Sequence, residues 1–86
     1  MNRDEIRLNV LSVLRTIAPE MDAAGLDPGT NLREQLDIDS MDFLNFVIRL
    51  HERFQVDVPE ADYGRLLTLD DCVEYLSAAL PVPRGA

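Results

Sequence analysis

Three groups of residues in this 86-residue chain are of types that could do chemistry. Ser40 and His51, the only histidine, offer a nucleophile and a base; Asp37, Asp39 and Asp42 offer oxygen ligands; Cys72, the only cysteine, offers a thiol. Spacing removes the first pair. Eleven residues of helix separate Ser40 from His51 by roughly 16 Å along the axis, whereas proton transfer needs contact within about 3 Å. The aspartates fail as an EF-hand loop, because counting from Asp37 the sixth position holds Asp42 instead of glycine and the twelfth holds Ile48 instead of glutamate. Acids at a helix start are already accounted for by the positive end of its dipole. One Cys and one His cannot build a zinc site, and a single Cys closes no internal disulfide. Cys72 falls on an apolar helix face and is expected in the core. That leaves Ser40, in Leu36-Asp37-Ile38-Asp39-Ser40-Met41-Asp42-Phe43-Leu44, where an acidic loop gives way to a periodic apolar stretch. Its hydroxyl can cap the helix and should stand in water, reachable by another protein, with Asp39 beside it to help place a cation or an incoming enzyme. Ser40 has the setting of a modification site.

The elements that position it follow from periodicity. Ile6, Val10, Val13, Leu14 and Ile17 form one apolar stripe over about Arg3 to Ala18, with Asn2 as N-cap, Glu5 three residues on, and Pro19 at the end. Residues 19–39 read as a long turn-rich connection, pinned to the core by Leu26, Leu32, Leu36 and Ile38. From Ser40 to Phe54, Phe43, Val47, Leu50 and Phe54 make the core stripe and Phe46 borders it. Met41, Leu44 and Ile48 form a separate apolar strip, and Asp42, Arg49 and Arg53 occupy the solvated side. Leu44 is as consistent with burial as with exposure; Met41 and Ile48 favour exposure and hence docking. Glu60–Leu67 has room for only a short helix. Thr68 caps a last helix whose stripe is Leu69, Cys72, Val73, Leu76 and Leu80. The expected fold is all-α, a small antiparallel four-helix bundle of three long helices and one short, in a single domain over residues 1–80 with a mobile tail at 81–86.

Asp39-Ser40-Met41, the acid at Asp42, and Leu44, Val47, Leu50 and Phe54 resemble the phosphopantetheine attachment segment of the acyl carrier and peptidyl carrier protein family. The order of elements, including the Val56-Asp57-Val58-Pro59 turn, extends the resemblance over most of the chain. It implies that Ser40 carries a covalent 4′-phosphopantetheine arm whose thiol holds an acyl or aminoacyl group as a thioester. It also implies a phosphopantetheinyl transferase and acyl-loading and acyl-processing enzymes as partners, and no catalysis by the chain itself. Acyl carriage by a freestanding, monomeric protein is favoured; an aminoacyl or peptidyl carrier and an unmodified acidic helical adaptor are the alternatives.

A net charge of −8, with 16 acids against 8 arginines, disfavours nucleic acid and suits basic protein partners. No apolar run approaches the roughly 20 residues of a membrane span, and Asp4, Glu5 and Arg7 stand where a signal sequence would not have them, so a cytoplasmic protein is expected. Two features depart from fatty acid synthesis carriers. Asn45 stands where that group often has Glu, and with Arg49 and Arg53 the stretch 40–54 is neutral, pointing to a specialised partner set. Phe43 replaces a commonly smaller side chain beside the acyl cavity; either it fills that space or the helices repack around it.

Overall fold

The computed structural model describes residues 1–80; the expected mobile tail lies outside them. Helix α1 spans Arg3–Ile17, and Asn2 begins it with a full capping box: its side chain accepts from the Glu5 N–H while the Glu5 carboxylate accepts from the Asn2 N–H. Helix α3 spans Ser40–Phe54 and α4 spans Leu69–Ala79, the latter capped by Thr68, whose hydroxyl accepts from the Asp71 N–H. Ile17 and Ala18 at the end of α1 line one groove with Ile38 and Asp42 at the start of α3, and Asn9 meets Arg53 near the end of α3, so the two run antiparallel. Among the described residues no strand forms, and the three long helices expected from the pattern are present.

The core joins Ile6, Val10, Val13 and Leu14 of α1 to Val47, Leu50 and Phe54 of α3 and Cys72, Val73 and Leu76 of α4. Phe46, expected at the border of the stripe, is fully buried, because its ring packs 6.1 Å from that of Phe43 and both turn inward. The buried arc of α3 is therefore wider than one stripe. Tyr75 and Leu66 also join the core; the Tyr75 hydroxyl donates to Asp62 at 2.7 Å and Arg65 lies over its ring. Partial loss of water and this hydrogen bond push the Tyr75 phenol above its usual range.

The short helix expected over Glu60–Leu67 is present as a 3₁₀ helix, Glu60–Leu66, which packs on α4. One expectation about the connections needs correction. Residues 19–39 are not simply a loop: they hold a 3₁₀ turn at Ala23–Gly25 and a one-turn helix α2 at Leu32–Gln35. Asn31 nucleates α2 by accepting from the N–H groups of Arg33 and Glu34, and Leu32 anchors it in full burial. Backbone bonds from Leu32 N–H to Leu67 O, 2.7 Å, and from Asp70 N–H to Pro28 O, 3.0 Å, tie the segment to the turn before α4 and to the first turn of α4. Gln35 staples it to itself, donating to Asp27 O and Thr30 O while accepting from the Asp27 N–H. The segment that leads to Ser40 is thus tied down over residues 27–35, which helps to place the start of α3.

Candidate functional site

Helix α2 ends in a Schellman turn. Asp37 takes the left-handed conformation, φ 52°, and the Ile38 N–H closes back on Arg33 O at 3.1 Å. An Asp tolerates that conformation better than most residues that carry a Cβ. The reversal brings α2 alongside the start of α3, where Asp39 is the N-cap and Ser40 the first helical residue. Ser40 does not cap the helix, as its type allowed; the carboxylate one residue earlier does so, accepting from the Asp42 N–H at 2.9 Å, while the Asp42 carboxylate accepts from the Asp39 N–H at 3.4 Å. Asp42 is correspondingly half-buried instead of lying on the solvated side. With the capping taken over by Asp39, the Ser40 hydroxyl is exposed and free for other chemistry.

That hydroxyl has one partner. Arg33 donates from Nη2 to Ser40 Oγ at 2.9 Å, and its guanidinium carbon lies 5.9 Å from the centre of the Phe43 ring. Sequence reasoning missed Arg33. The available signal was that it is the sole basic residue between Arg15 and Arg49. His51 is tied to another place: its Nδ1 is 2.9 Å from Val56 O and must carry the proton, since a carbonyl only accepts. This bond supports the turn after α3, where Gln55 is left-handed at φ 55°. Ser40 therefore has a cationic donor beside it and no base from His51, an arrangement that suits a hydroxyl modified by another protein's machinery. The donor set fits an anionic phosphodiester: one guanidinium, with the Ser40 and Met41 N–H groups of the first helical turn unclaimed among the described residues.

Along α3 from Ser40, Met41, Leu44 and Ile48 are exposed to 66%, 37% and 44%, so the apolar strip is a surface and Leu44 lies at its margin. Ile48 leads into a groove of about 420 Å³ lined with Val47, His51, Val58, Pro59 and Tyr63. Arg49 and Arg53 point elsewhere, into a groove against Val13 and Thr16 of α1, where Arg53 donates to Asn9 Oδ1 at 2.9 Å and to Ser12 Oγ at 3.2 Å. The two arginines and the apolar strip flank α3 on different sides. Phe43 is buried, and its ring fills the interior near Ser40 together with Phe46. Cys72 is buried as expected; its thiol donates to Leu66 O at 3.3 Å and burial pushes its pKa far above the usual value.

Comparison with known proteins agrees with this geometry. A model of the family described as "Phosphopantetheine attachment site" matches residues 9–76. The acyl carrier protein of Rubrobacter xylanophilus is 26% identical over 76 residues, covering 88% of this chain and 93% of its own length. That of Streptomyces coelicolor is 27% identical over 82 residues, covering 95% and 85%. The solved structure of the acyl carrier protein from Enterococcus faecalis superposes with a TM-score of 0.77 over 92% of this chain and 99% of the other, at 22% identity, which establishes a shared fold. A family match over most of the chain, relatives that span nearly all of it and a common bundle lead to one conclusion: the chain belongs to the acyl carrier protein family, whose members carry acyl groups on phosphopantetheine and do not themselves catalyse.

Proposed function

We propose that Ser40 is the attachment residue and that the chain, as a single domain over residues 1–80, is a freestanding, monomeric, cytoplasmic carrier serving a specialised fatty acid, polyketide or related pathway. The observation that carries the assignment is the exposed Ser40 hydroxyl on the first turn of α3, with its capping duty taken by Asp39 and a guanidinium 2.9 Å away. During modification Ser40 Oγ attacks the pantetheine-bearing phosphorus of coenzyme A, the pyrophosphate P–O bond breaks so that adenosine 3′,5′-bisphosphate leaves, and the serine proton goes to a base that the transferase or solvent supplies. The arm then supplies the thiol that holds the cargo. The chain's own work is to hold the root of the arm in place and to present α3 to partners.

Specialisation is supported by the neutral charge of residues 40–54 and by the exposed strip Met41, Leu44 and Ile48. A partner that docks here gains apolar area at the strip, while Arg49 and Arg53 admit enzymes with a local acidic patch and repel those built for an all-acidic helix. The assignment of the site is tested by incubation with coenzyme A and a broad-specificity phosphopantetheinyl transferase. Intact mass should rise by one arm, and Ser40→Ala should gain none; modification at Ser12 or Ser77 would overturn it, and no modification at all would leave the acidic-adaptor reading. The cargo of protein from its native host, acyl or aminoacyl, decides between the two carrier classes.

A further inference from the structure

We propose that Arg33 is the residue of this chain that holds the phosphate at the root of the arm, its guanidinium donating to the nonbridging oxygens of the phosphodiester. The inference rests on Ser40 as attachment residue and goes beyond it by assigning a binding role to a side chain seven positions away.

Ser40 Oγ becomes the bridging oxygen of the ester, so the charged oxygens come to lie two bonds from an atom that Arg33 already contacts at 2.9 Å. Before modification this cation is bonded to a neutral hydroxyl. Among the described residues no carboxylate approaches its guanidinium within 4 Å, although Asp37, Asp39 and Asp42 all lie within three residues of the serine in the chain. A guanidinium has five N–H donors, and only one is used here. Replacing the neutral acceptor with a phosphodiester turns an ordinary hydrogen bond into a charge-assisted one, about twice as strong.

The side chain is also held ready for that role. The Asn31 cap and the Schellman turn at Asp37 fix the Arg33 backbone, and the Phe43 ring supports its guanidinium at 5.9 Å. Less freedom is then lost when the anion arrives than for a free surface arginine. The acidic stretch around Ser40 favours a cation as well. Asp37, Asp39 and Asp42 flank the serine in sequence and would disfavour an added phosphate, and Arg33 is the sole basic residue from 16 to 48. The buried phenyl at position 43 thereby gains a second task, as the platform of the phosphate-binding arginine.

The test compares apo and holo forms of the wild type, Arg33→Gln and Arg33→Lys by ³¹P NMR and by the arginine Nε–H resonances, with circular dichroism as the check on folding. In the wild type the Arg33 Nε–H resonance should move when the arm is attached. In holo Arg33→Gln the phosphorus line should narrow and move toward that of dimethyl phosphate in the same buffer, with Arg33→Lys between the two. A phosphorus resonance unchanged in shift and width by Arg33→Gln overturns the proposal while leaving Ser40 as the attachment residue. Slower modification of Arg33→Gln with that same unchanged resonance means that Arg33 serves the transferase, and overturns it too. If Arg33→Gln does not fold, the wild-type Nε–H resonance decides alone, and its failure to move refutes the proposal. Absence of any arm on Ser40 in the wild type refutes both readings together.

Discussion

Leu50 and Ile48 are two residues apart on α3, similar in size, and 0% and 44% exposed, so truncating each to Ala separates what the fold needs from what partners need. Each change removes three carbons, worth about 0.8 kcal/mol apiece when fully buried. For Leu50 the transfer term is therefore about 2.4 kcal/mol, and the cavity left between α1 and α3 adds to it, giving about 3 to 5 kcal/mol. Ile48 is just over half buried and leaves no enclosed void, so its loss is about 1.3 kcal/mol, of which the better helix propensity of Ala returns a few tenths. A domain of this size has roughly 4 to 13 kcal/mol in total. Urea titration followed by circular dichroism should place Leu50→Ala about 3 to 5 kcal/mol below the parent, enough to unfold a domain at the low end of the stability range, and Ile48→Ala within about 1 kcal/mol of the parent. With the cognate loading enzyme, Ile48→Ala should still lower turnover, and Met41→Ala should do the same with even less effect on the fold. Equal losses of stability from Leu50→Ala and Ile48→Ala, or a loss below half a kcal/mol from the former, would show that the core and docking faces are assigned wrongly.

The remaining predictions concern thiols and charge. Cys72 should be inert to thiol reagents in the native state, because burial and its bond to Leu66 O keep it protonated, so holo protein should titrate one thiol when folded and two in denaturant; two native thiols would contradict the packing of α4. Arg49→Glu with Arg53→Glu should improve service to fatty acid synthesis enzymes and impair the native partners, as measured by turnover with each. Native turnover indifferent to this reversal and to truncation of Met41 and Ile48 would move the docking face to the acidic segment Asp57 to Asp62.

The long helices were legible because each carries both a stripe and a start signal: Asn2 for α1 and Thr68 for α4 cap as their types suggest. At α3 two cap-competent residues adjoin, Asp39 and Ser40, and composition cannot choose between them. The choice falls to Asp39 because Asp42 can complete the reciprocal box with it. Helix α2 was illegible for a different reason. Four residues are barely one turn, too short for a period, and its stability comes from the Asn31 cap and from Leu32 in a distant core. The Arg33 contact with Ser40 follows from that same hidden turn, since Asp37 reverses the chain without the glycine that would have marked the reversal. Phe46 was misplaced because a helical wheel gives directions but not the width of the covering surface, which Phe43 and Phe46 widen by packing on each other.

With the docking role proposed for its apolar strip, the division of labour along α3 would let a small bundle change partners without losing its fold. Phe43, Phe46, Val47, Leu50 and Phe54 fasten the helix, leaving the strip from Met41 to Ile48 largely outside the accounting of stability. Substitution on that strip should cost little stability, because exposed positions contribute little to folding, and under the proposed docking role it would act mainly on recognition. Arg53 is the exception: its bonds to Asn9 and Ser12 cross to α1, so a change there alters both the charge offered to partners and the contact between two long helices. Arg49 shares the groove without those bonds. Under the proposed role, partner choice through charge would be less constrained at Arg49 than at Arg53, and less constrained again on the apolar strip, while the start of α3 is held by a reciprocal capping box and the Schellman turn before it. Asp39, Asp42, Asp37, Arg33 and Ser40 form one connected set there, in which the cap at Asp39 that spares the serine and the turn at Asp37 that brings the arginine to it are made only two residues apart.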